Sequence, residues 1–267
     1  MGFIHKEKGG FYLSAPNSLS NITSNELYLT MTTILKEDLF DFVKEMAAIR
    51  APSGLENARV KKFIDLMKKY VSANQIDHDS LGNVIIRIPS KLDTALKIMI
   101  VGHIDEIGAT VLKIKEDGRL LFQKRGGFET RWLISKRVFI YTLQGKWVQG
   151  VVLGRTIHAM PPGEREKALP DMNSLEIFLG ADSAAEIKEL GIHVGAPIVF
   201  EGYTDYLNAD LNKDLIISNS LDNILSLAAF LVLAARIGKE NPYGVELVLV
   251  AAVREEIGRE EIGRAHV

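Results

Sequence analysis

Three groups of imidazole and carboxylate side chains follow the predicted apolar strands of this chain. These are His103 with Asp105 and Glu106, then Asp222, and then the pair Glu255 and Glu256. Open α/β sheets bind ligands just beyond the carboxyl ends of their strands. Imidazole and carboxylate groups suit divalent ions such as zinc, cobalt and manganese. The pattern therefore indicates a metal site, and metal-assisted hydrolysis is a chemistry that such a site can support.

Each group also has a plainer explanation. A lone histidine after a strand is commonly an ordinary core or surface residue. The pair Glu255–Glu256 is typical of a solvated turn, and Asp222 stands between an apolar strand and an apolar helix, where it could serve as a helix N-cap. Residue type alone does not decide between these explanations and a metal site.

Taken together, the groups favour a two-metal hydrolase. A carboxylate bridges two divalent ions roughly 3.5–4 Å apart in such enzymes, and the ions polarise a carbonyl and lower the pKa of the bridging water. A second glutamate then moves the proton to the leaving amine. In extended chain, His103 and Asp105 point the same way, so one can bind metal while the other supports it.

The composition restricts the possible functions. The 267 residues contain no cysteine, which excludes disulfides, thiolate metal sites and a cysteine nucleophile. The net charge of -2 gives no reason to expect nucleic acid or an acidic membrane surface as a partner. No apolar run is long enough for a membrane helix, and no signal peptide is recognisable, so a cytoplasmic location is the default expectation.

The hydrophobic pattern predicts two architectures in one chain. Continuous apolar runs at residues 96–101 and 245–252 are typical of strands covered on both faces, and helical periodicity accompanies them. Between residues 109 and 208 short alternating stretches indicate an all-β unit. We therefore predict an α/β domain formed by residues 31–108 and 209–260, with a β domain inserted at 109–208. Residues 1–30 lack any period and are expected to be a disordered leader or a mis-annotated one, with Met31 as the true start.

Five short motifs carry a family resemblance. They are APSG at 51–54, DSLGN at 79–83, GHIDEIG at 102–108, SLDN at 220–223 and VREEIG at 253–258. In this order, the motifs resemble those of the tetrahedral aminopeptidases, which are also called glutamyl aminopeptidases and, in older usage, endoglucanase-like proteins. The resemblance extends over about residues 31–260.

The resemblance implies a mixed sheet covered by helices, as in zinc peptidases, with an inserted barrel-like dimerisation domain. It implies two zinc or cobalt ions, with manganese also possible, and removal of N-terminal residues from short peptides. Dimers would build a homo-oligomer, a dodecamer. By the same resemblance His103 binds one metal, Asp222 bridges both and Glu256 is a further ligand. Glu255 is the general base, and Asp105 orients His103 by accepting its second ring proton.

The sequence also departs from the family. Ile224 stands where the family often has arginine, and a later Asp and a His near the C-terminus have no counterpart. Residues 261–267 partly repeat residues 256–259, and one back-translation matches a sequencing adapter, so we predict that this tail is an artefact. With two metal ligands missing, residues 1–267 alone are expected to be inactive.

Three alternatives remain open from the residues themselves. Another two-metal amidohydrolase, such as a deacetylase or a carboxypeptidase-like enzyme, uses similar ligands but has a different inserted domain. A non-catalytic assembly or peptide-binding protein could use the β domain alone. A glycosidase would place two carboxylates across a sugar cleft without metal.

Overall fold

The computed structural model describes residues 4–7, 10–13, 39–93, 96–154, 172–207 and 215–258. The chain divides into two compact units, one up to Leu39 and one from Phe40 onward. In the first unit, strands β1 (Ile4–Glu7) and β2 (Gly10–Leu13) form an antiparallel hairpin within the predicted leader. The tail at 261–267 lies outside the described residues, so its predicted origin stays a prediction.

The second unit contains two kinds of structure that alternate along the chain. Its helices are α1 (39–47), α2 (Asn57–Met67), α3 (Ala184–Glu189) and α4 (Leu221–Ile237). The strands of the α/β part are β3 (Ile76–His78), β4 (Val84–Ile88), β5 (Lys97–His103) and β14 (Glu246–Ala252). The barrel strands are β6 (Gly108–Ile114), β7 (Leu120–Arg125), β8 (Arg137–Tyr141), β9 (Trp147–Leu153), β10 (Glu176–Phe178) and β11 (Pro197–Phe200). A separate two-stranded ribbon consists of β12 (Thr204–Tyr206) and β13 (Ile216–Ser218).

The α/β part is built on a mixed four-stranded sheet in the order β3-β4-β14-β5. Strands β4 and β14 are antiparallel, whereas β14 and β5 are parallel and pair Ala252 with His103. Strand β14 is buried along nearly its whole length because it has a neighbour on each side. The expected mixed sheet is therefore confirmed, and its parallel pair ends at one common edge.

One strand of this sheet is more exposed among the described residues than its apolar pattern suggests. The apolar run at 96–101 is typical of a strand covered on both faces, yet Leu96 is 58% exposed and Ile98 is 44% exposed. The reason is positional, since β5 is the last strand of the sheet as described and has a neighbour on one side only. Its last residue, His103, is buried.

The inserted part closes into a six-stranded antiparallel barrel in the order β10-β7-β6-β11-β8-β9. Alternate residues along each strand point inward, which is the period of two that the sequence shows. The barrel core is apolar throughout and includes Val111, Phe122, Ile140, Val152 and Ile198. A small β-barrel is thus present, with its strands lying between Gly108 and Phe200, while the bounds of an inserted domain stay a prediction.

The barrel joins the α/β part through close contacts. The guanidinium of Arg50, after α1, lies 3.7 Å from the ring centroid of Phe139 on β8. Gly108, the first residue of β6, lies so close to Pro52 that an added Cβ would be 3.2 Å from the Cβ of that proline. Among the described helices, none has the length and hydropathy needed to cross a membrane.

Candidate metal centre

The parallel pair of strands brings two of the three predicted groups together. His103 ends β5, and its neighbour Ala252 ends β14. Beyond β14 the chain passes through Arg254, which has a positive φ of 61°, into a short 3₁₀ helix at Glu255–Ile257. The carboxyl ends of parallel strands meet at one edge, so the glutamate pair arrives beside the imidazole.

The third group, Asp222, completes the cluster from the start of α4. Its Oδ1 lies 2.9 Å from Nε2 of His103, and Oε2 of Glu255 lies 3.7 Å from the same nitrogen. His103, Asp222 and Glu256 each offer a ligand atom, and these three atoms all lie within 4.8 Å of one another. The structure therefore brings together all three predicted metal ligands, with the predicted base beside them.

The ring of His103 is held in one orientation. Its Nδ1 lies 3.1 Å from the backbone carbonyl oxygen of Asp105, which leaves Nε2 directed at Asp222. Burial by itself lowers the pKa of His103, but the hydrogen bonding and negative charge of Asp105 outweigh burial and raise it to about 9. A metal ion that binds Nε2 must therefore displace a proton from this ring.

Asp105 faces His103 and also supports the glutamate turn. Its carboxylate oxygen lies 3.5 Å from Nδ1 of His103, and its main-chain oxygen lies 3.1 Å from the same nitrogen. The carboxylate also accepts hydrogen bonds from the Ser53 hydroxyl at 2.6 Å and from the backbone N–H groups of Glu255 and Glu256. Its predicted role in orienting His103 stays a prediction. Burial alone would raise the pKa of Asp105, but His103 and these donors together hold it below its ordinary value.

Asp222 is not used as a helix cap. Its side chain is 84% exposed and faces His103. The residues with non-helical φ and ψ at the start of α4 are Asp222 and Asn223, which are joined by a cis peptide bond. The side-chain oxygen of Asn223 accepts the backbone N–H of Ser226, so the capping bond belongs to the neighbouring residue.

The electrostatics of the cluster suit a cation. Burial raises the pKa of Glu256, and the carboxylates of Asp105, Asp222 and Glu255 add to this, while the charge of His103 opposes them. Several carboxylates therefore surround one imidazole. Carboxylate oxygens and an imidazole nitrogen that converge in this way form a donor set suited to zinc or cobalt. The residues present thus fit a divalent ion, while the individual ligand roles stay predictions.

A buried ion pair lies directly beneath the cluster. The guanidinium of Arg59 is 2.9 Å from a carboxylate oxygen of Glu106, and both residues are buried. Arg59 also donates to the carbonyl oxygens of Ile49 and Ile104. Glu106 accepts from the backbone N–H of Ala51 and from the hydroxyl of Ser220. The pair therefore ties the loop after His103 to the segment that leads into Asp222.

Sequence reasoning missed this pair as a structural element. A signal for Arg59 was present, because it stands four residues before Phe63 and eight before Met67, on the buried face of α2. A charged residue on an apolar helix face is rarely buried without a partner. Glu106 was noted only as a neighbour of His103, since the distance in sequence from Arg59 gives no hint of their contact.

A comparison with protein families supports the resemblance seen in the motifs. The model of the M42 glutamyl aminopeptidase family matches residues 82–263. The glutamyl aminopeptidase of Lactococcus lactis subsp. cremoris is 32% identical over 234 residues, which is 83% of this chain and 61% of that protein. The chain therefore spans about three fifths of the length of this relative.

Solved structures give the same result. An aminopeptidase from the archaeon Desulfurococcus kamchatkensis matches with a TM-score of 0.74 and 28% identity, covering 86% of this chain and 60% of that one. The TET1 peptidase of Pyrococcus horikoshii, which can assemble into a tetrahedron or a large octahedral shell, matches with a TM-score of 0.70 and 25% identity over 85% of this chain and 65% of that one. The family resemblance read from the five motifs is confirmed, and the chain belongs to the M42 glutamyl aminopeptidase family.

Proposed function

We propose that this chain forms part of a two-metal aminopeptidase that removes N-terminal residues from short peptides. The observation that carries the proposal is the convergence of His103, Asp222 and Glu256, whose ligand atoms lie within 4.8 Å of one another. Membership of the M42 family supports the choice of peptides as substrates. The inserted six-stranded barrel favours this reading over other two-metal amidohydrolases, which differ in their inserted domain.

The ions would be zinc or cobalt, and manganese also suits these ligands. When bound, they would polarise the scissile carbonyl and make a water molecule more acidic. His103 would bind one ion through Nε2, because its Nδ1 is engaged with the main chain at Asp105. Asp222 would bridge the two ions, and Glu256 would complete one of the coordination shells.

Glu255 would act as the general base. Its carboxylate oxygen lies 3.7 Å from Nε2 of His103, close to the ligand cluster without belonging to it. From there it can take a proton from water and pass it to the amine that leaves the peptide. Asp105 would keep this carboxylate in place through its hydrogen bond to the backbone N–H of Glu255.

The three side chains are fewer than the five ligands that the family resemblance implies. Two ions held close together repel each other, and a full set of anionic and imidazole ligands is needed to offset that repulsion and the lost hydration. We infer that residues 1–267 by themselves bind a single ion weakly and do not hydrolyse peptides. A protein with the complete ligand set would be needed for activity.

Self-association is the last part of the proposal. The TET1 peptidase of Pyrococcus horikoshii forms closed assemblies, and this chain shares its fold. We infer that the barrel mediates dimerisation and that dimers build a dodecamer. Exposed apolar residues on the barrel, such as Leu143 and Leu153, are consistent with a surface that needs a partner.

Metal analysis and peptide hydrolysis test the function together. A protein that carries all five metal ligands should contain two zinc or cobalt ions per chain. It should hydrolyse the anilides of leucine or glutamate, and EDTA should abolish this hydrolysis. The matched control is the same anilide with an acetylated amino group, which an aminopeptidase leaves intact. Equal hydrolysis of both substrates would favour another amidohydrolase, and metal-free protein without activity would favour a binding protein.

A further inference from the structure

The turn that carries Glu255 and Glu256 is held in place by hydrogen bonds from its backbone to side chains. Four consecutive backbone N–H groups each donate to a side-chain oxygen. Val253 donates to Asn83 at 2.8 Å, Arg254 to Glu56 at 3.2 Å, Glu255 to Asp105 at 3.1 Å and Glu256 to Asp105 at 3.2 Å. We call Asn83, Glu56 and Asp105 the cradle of this turn.

The cradle residues are themselves buried and fixed. Asn83 is fully buried, and its amide donates to the carboxylate of Asp79 at 2.7 Å. Glu56 is 5% exposed and also accepts the backbone N–H of Gly54 at 2.6 Å. Because each acceptor is anchored from a second direction, the cradle offers the turn a rigid set of oxygens.

The third member of the cradle is linked to the barrel. The Ser53 hydroxyl donates to Asp105 at 2.6 Å, and the guanidinium of Arg125 on β7 donates to the carbonyl oxygen of Ser53. The motifs at 51–54 and 79–83 thus have a structural role that the metal ligands alone do not explain. Asn83 contacts the turn at 253–256 directly, and Ser53 is linked to the turn through Asp105.

The turn needs such support because its backbone conformation is unusual. Arg254 has a φ of 61° and a ψ of 26°, a left-handed conformation that a residue with a side chain rarely adopts. A conformation of this kind persists only when the surrounding structure determines it. The four side-chain acceptor oxygens fix this conformation, because they bind the backbone N–H groups of the turn, which would otherwise lack partners.

We propose that Asn83 and Glu56 are positioning residues that act with Asp105 to fix the turn and thereby place the predicted base Glu255 and the predicted ligand Glu256. The proposal rests on the proposed function, because it assigns a purpose to the placement of these two carboxylates. Asn83 and Glu56 act only through the backbone of the turn. Loss of an outer partner of a metal site typically lowers metal affinity about 10–100-fold.

Cobalt binding tests the metal half of the proposal. Co²⁺ alone is titrated into the purified protein, and its visible absorption gives both the affinity and the ligand geometry. Asn83→Ala should weaken Co²⁺ binding at least about tenfold and change the spectrum. The matched control is Asn241→Ala, since Asn241 is 2% exposed and also bonds to backbone groups, but at Ile88 and Val245. It should lower the melting temperature without changing cobalt affinity or spectrum.

Glu56 provides a rescue test. Glu56→Ala removes the acceptor for Arg254, whereas Glu56→Gln keeps an oxygen at the same place. We expect Glu56→Ala to weaken Co²⁺ binding about tenfold and Glu56→Gln to restore it to within about twofold of the wild type. Equal losses in both variants would mean that the charge matters and not the hydrogen bond, and would overturn the assignment.

Amide hydrogen exchange across 253–256 separates this inference from the metal proposal. The cradle predicts at least tenfold faster exchange in Asn83→Ala and Glu56→Ala, and unchanged exchange in Glu56→Gln and Asn241→Ala. Wild-type protein that fails to bind Co²⁺ would overturn the inferred single-ion site, yet the exchange rates would still decide whether the cradle fixes the turn. Unchanged exchange in Asn83→Ala and Glu56→Ala would overturn the cradle itself.

Discussion

Replacing Arg59 by methionine should lower the free energy of unfolding, because it breaks the buried ion pair next to the metal cluster. The side chain of Arg59 is fully buried, and methionine replaces its aliphatic stem with a similar helix propensity, so the change is confined to the guanidinium. What is lost is the ion pair with Glu106 and the hydrogen bonds to the carbonyl oxygens of Ile49 and Ile104. Glu106 keeps its other donors but becomes a buried anion without a counter-charge.

The expected size of the effect follows from this burial. Removing one partner of a buried ion pair costs about 3–5 kcal/mol of unfolding free energy, because the remaining charge stays desolvated. For a protein of this size that corresponds to a fall in melting temperature of roughly 6–20 °C. Arg236→Met, at an exposed position of α4, is the matched control and should change the stability by less than about 0.5 kcal/mol.

A double-mutant cycle identifies the mechanism. Urea denaturation is measured for the wild type, Arg59→Met, Glu106→Gln and the double variant. Because Glu106→Gln removes the stranded charge, the double variant should be more stable than the sum of the single losses predicts, by about 2 kcal/mol. Additivity to within about 0.5 kcal/mol would refute the view that the two charges are coupled.

Three further perturbations test the site and the assembly. In a protein that carries all five metal ligands, Glu255→Gln should abolish peptide hydrolysis while metal analysis still finds two bound ions. Glu256→Gln should abolish hydrolysis and also lower the metal content. The reverse pattern would exchange the roles of the two residues. Gly126→Ala should destabilise the fold by about 1–3 kcal/mol, because φ is +88° and its Cβ would lie 2.7 Å from Cγ2 of Ile107. It should also weaken Co²⁺ binding, because the same Cβ would lie 3.2 Å from Oε2 of Glu256. Gly180→Ala, with φ of +83° and no atom within 4 Å of the new Cβ, should lower the melting temperature and leave cobalt binding unchanged. Removal of residues 109–208 should give a monomer in sedimentation, and a large assembly that survives the deletion would contradict a role of the barrel in association.

Much of the architecture follows from local pattern. Alternation along the inserted segment predicts strands that bury every second side chain, and these strands close into the barrel. The run at 245–252 predicts a buried strand, and β14 lies between two neighbours. The run at 96–101 shows the limit of this reasoning, since apolar composition does not tell whether a strand lies inside a sheet or at its edge. That depends on which other segments pair with it.

The sequence shows which residues are candidates for the site, whereas only the tertiary structure shows the hydrogen bonds that hold them. The groups that contain His103, Asp222 and Glu256 could be named from residue type and from their place after apolar strands, and the family resemblance then selected these three as ligands. Parallel strands deliver His103 and Glu256 to one edge of the sheet. That both the carboxylate and the main-chain oxygen of Asp105 lie near Nδ1 of His103, at 3.5 and 3.1 Å, could not be predicted, because such contacts are set by packing. Nor could the cradle, since its hydrogen bonds join residues from 150 to 198 positions apart in the sequence. Contacts over such distances exist only once the sheet has folded.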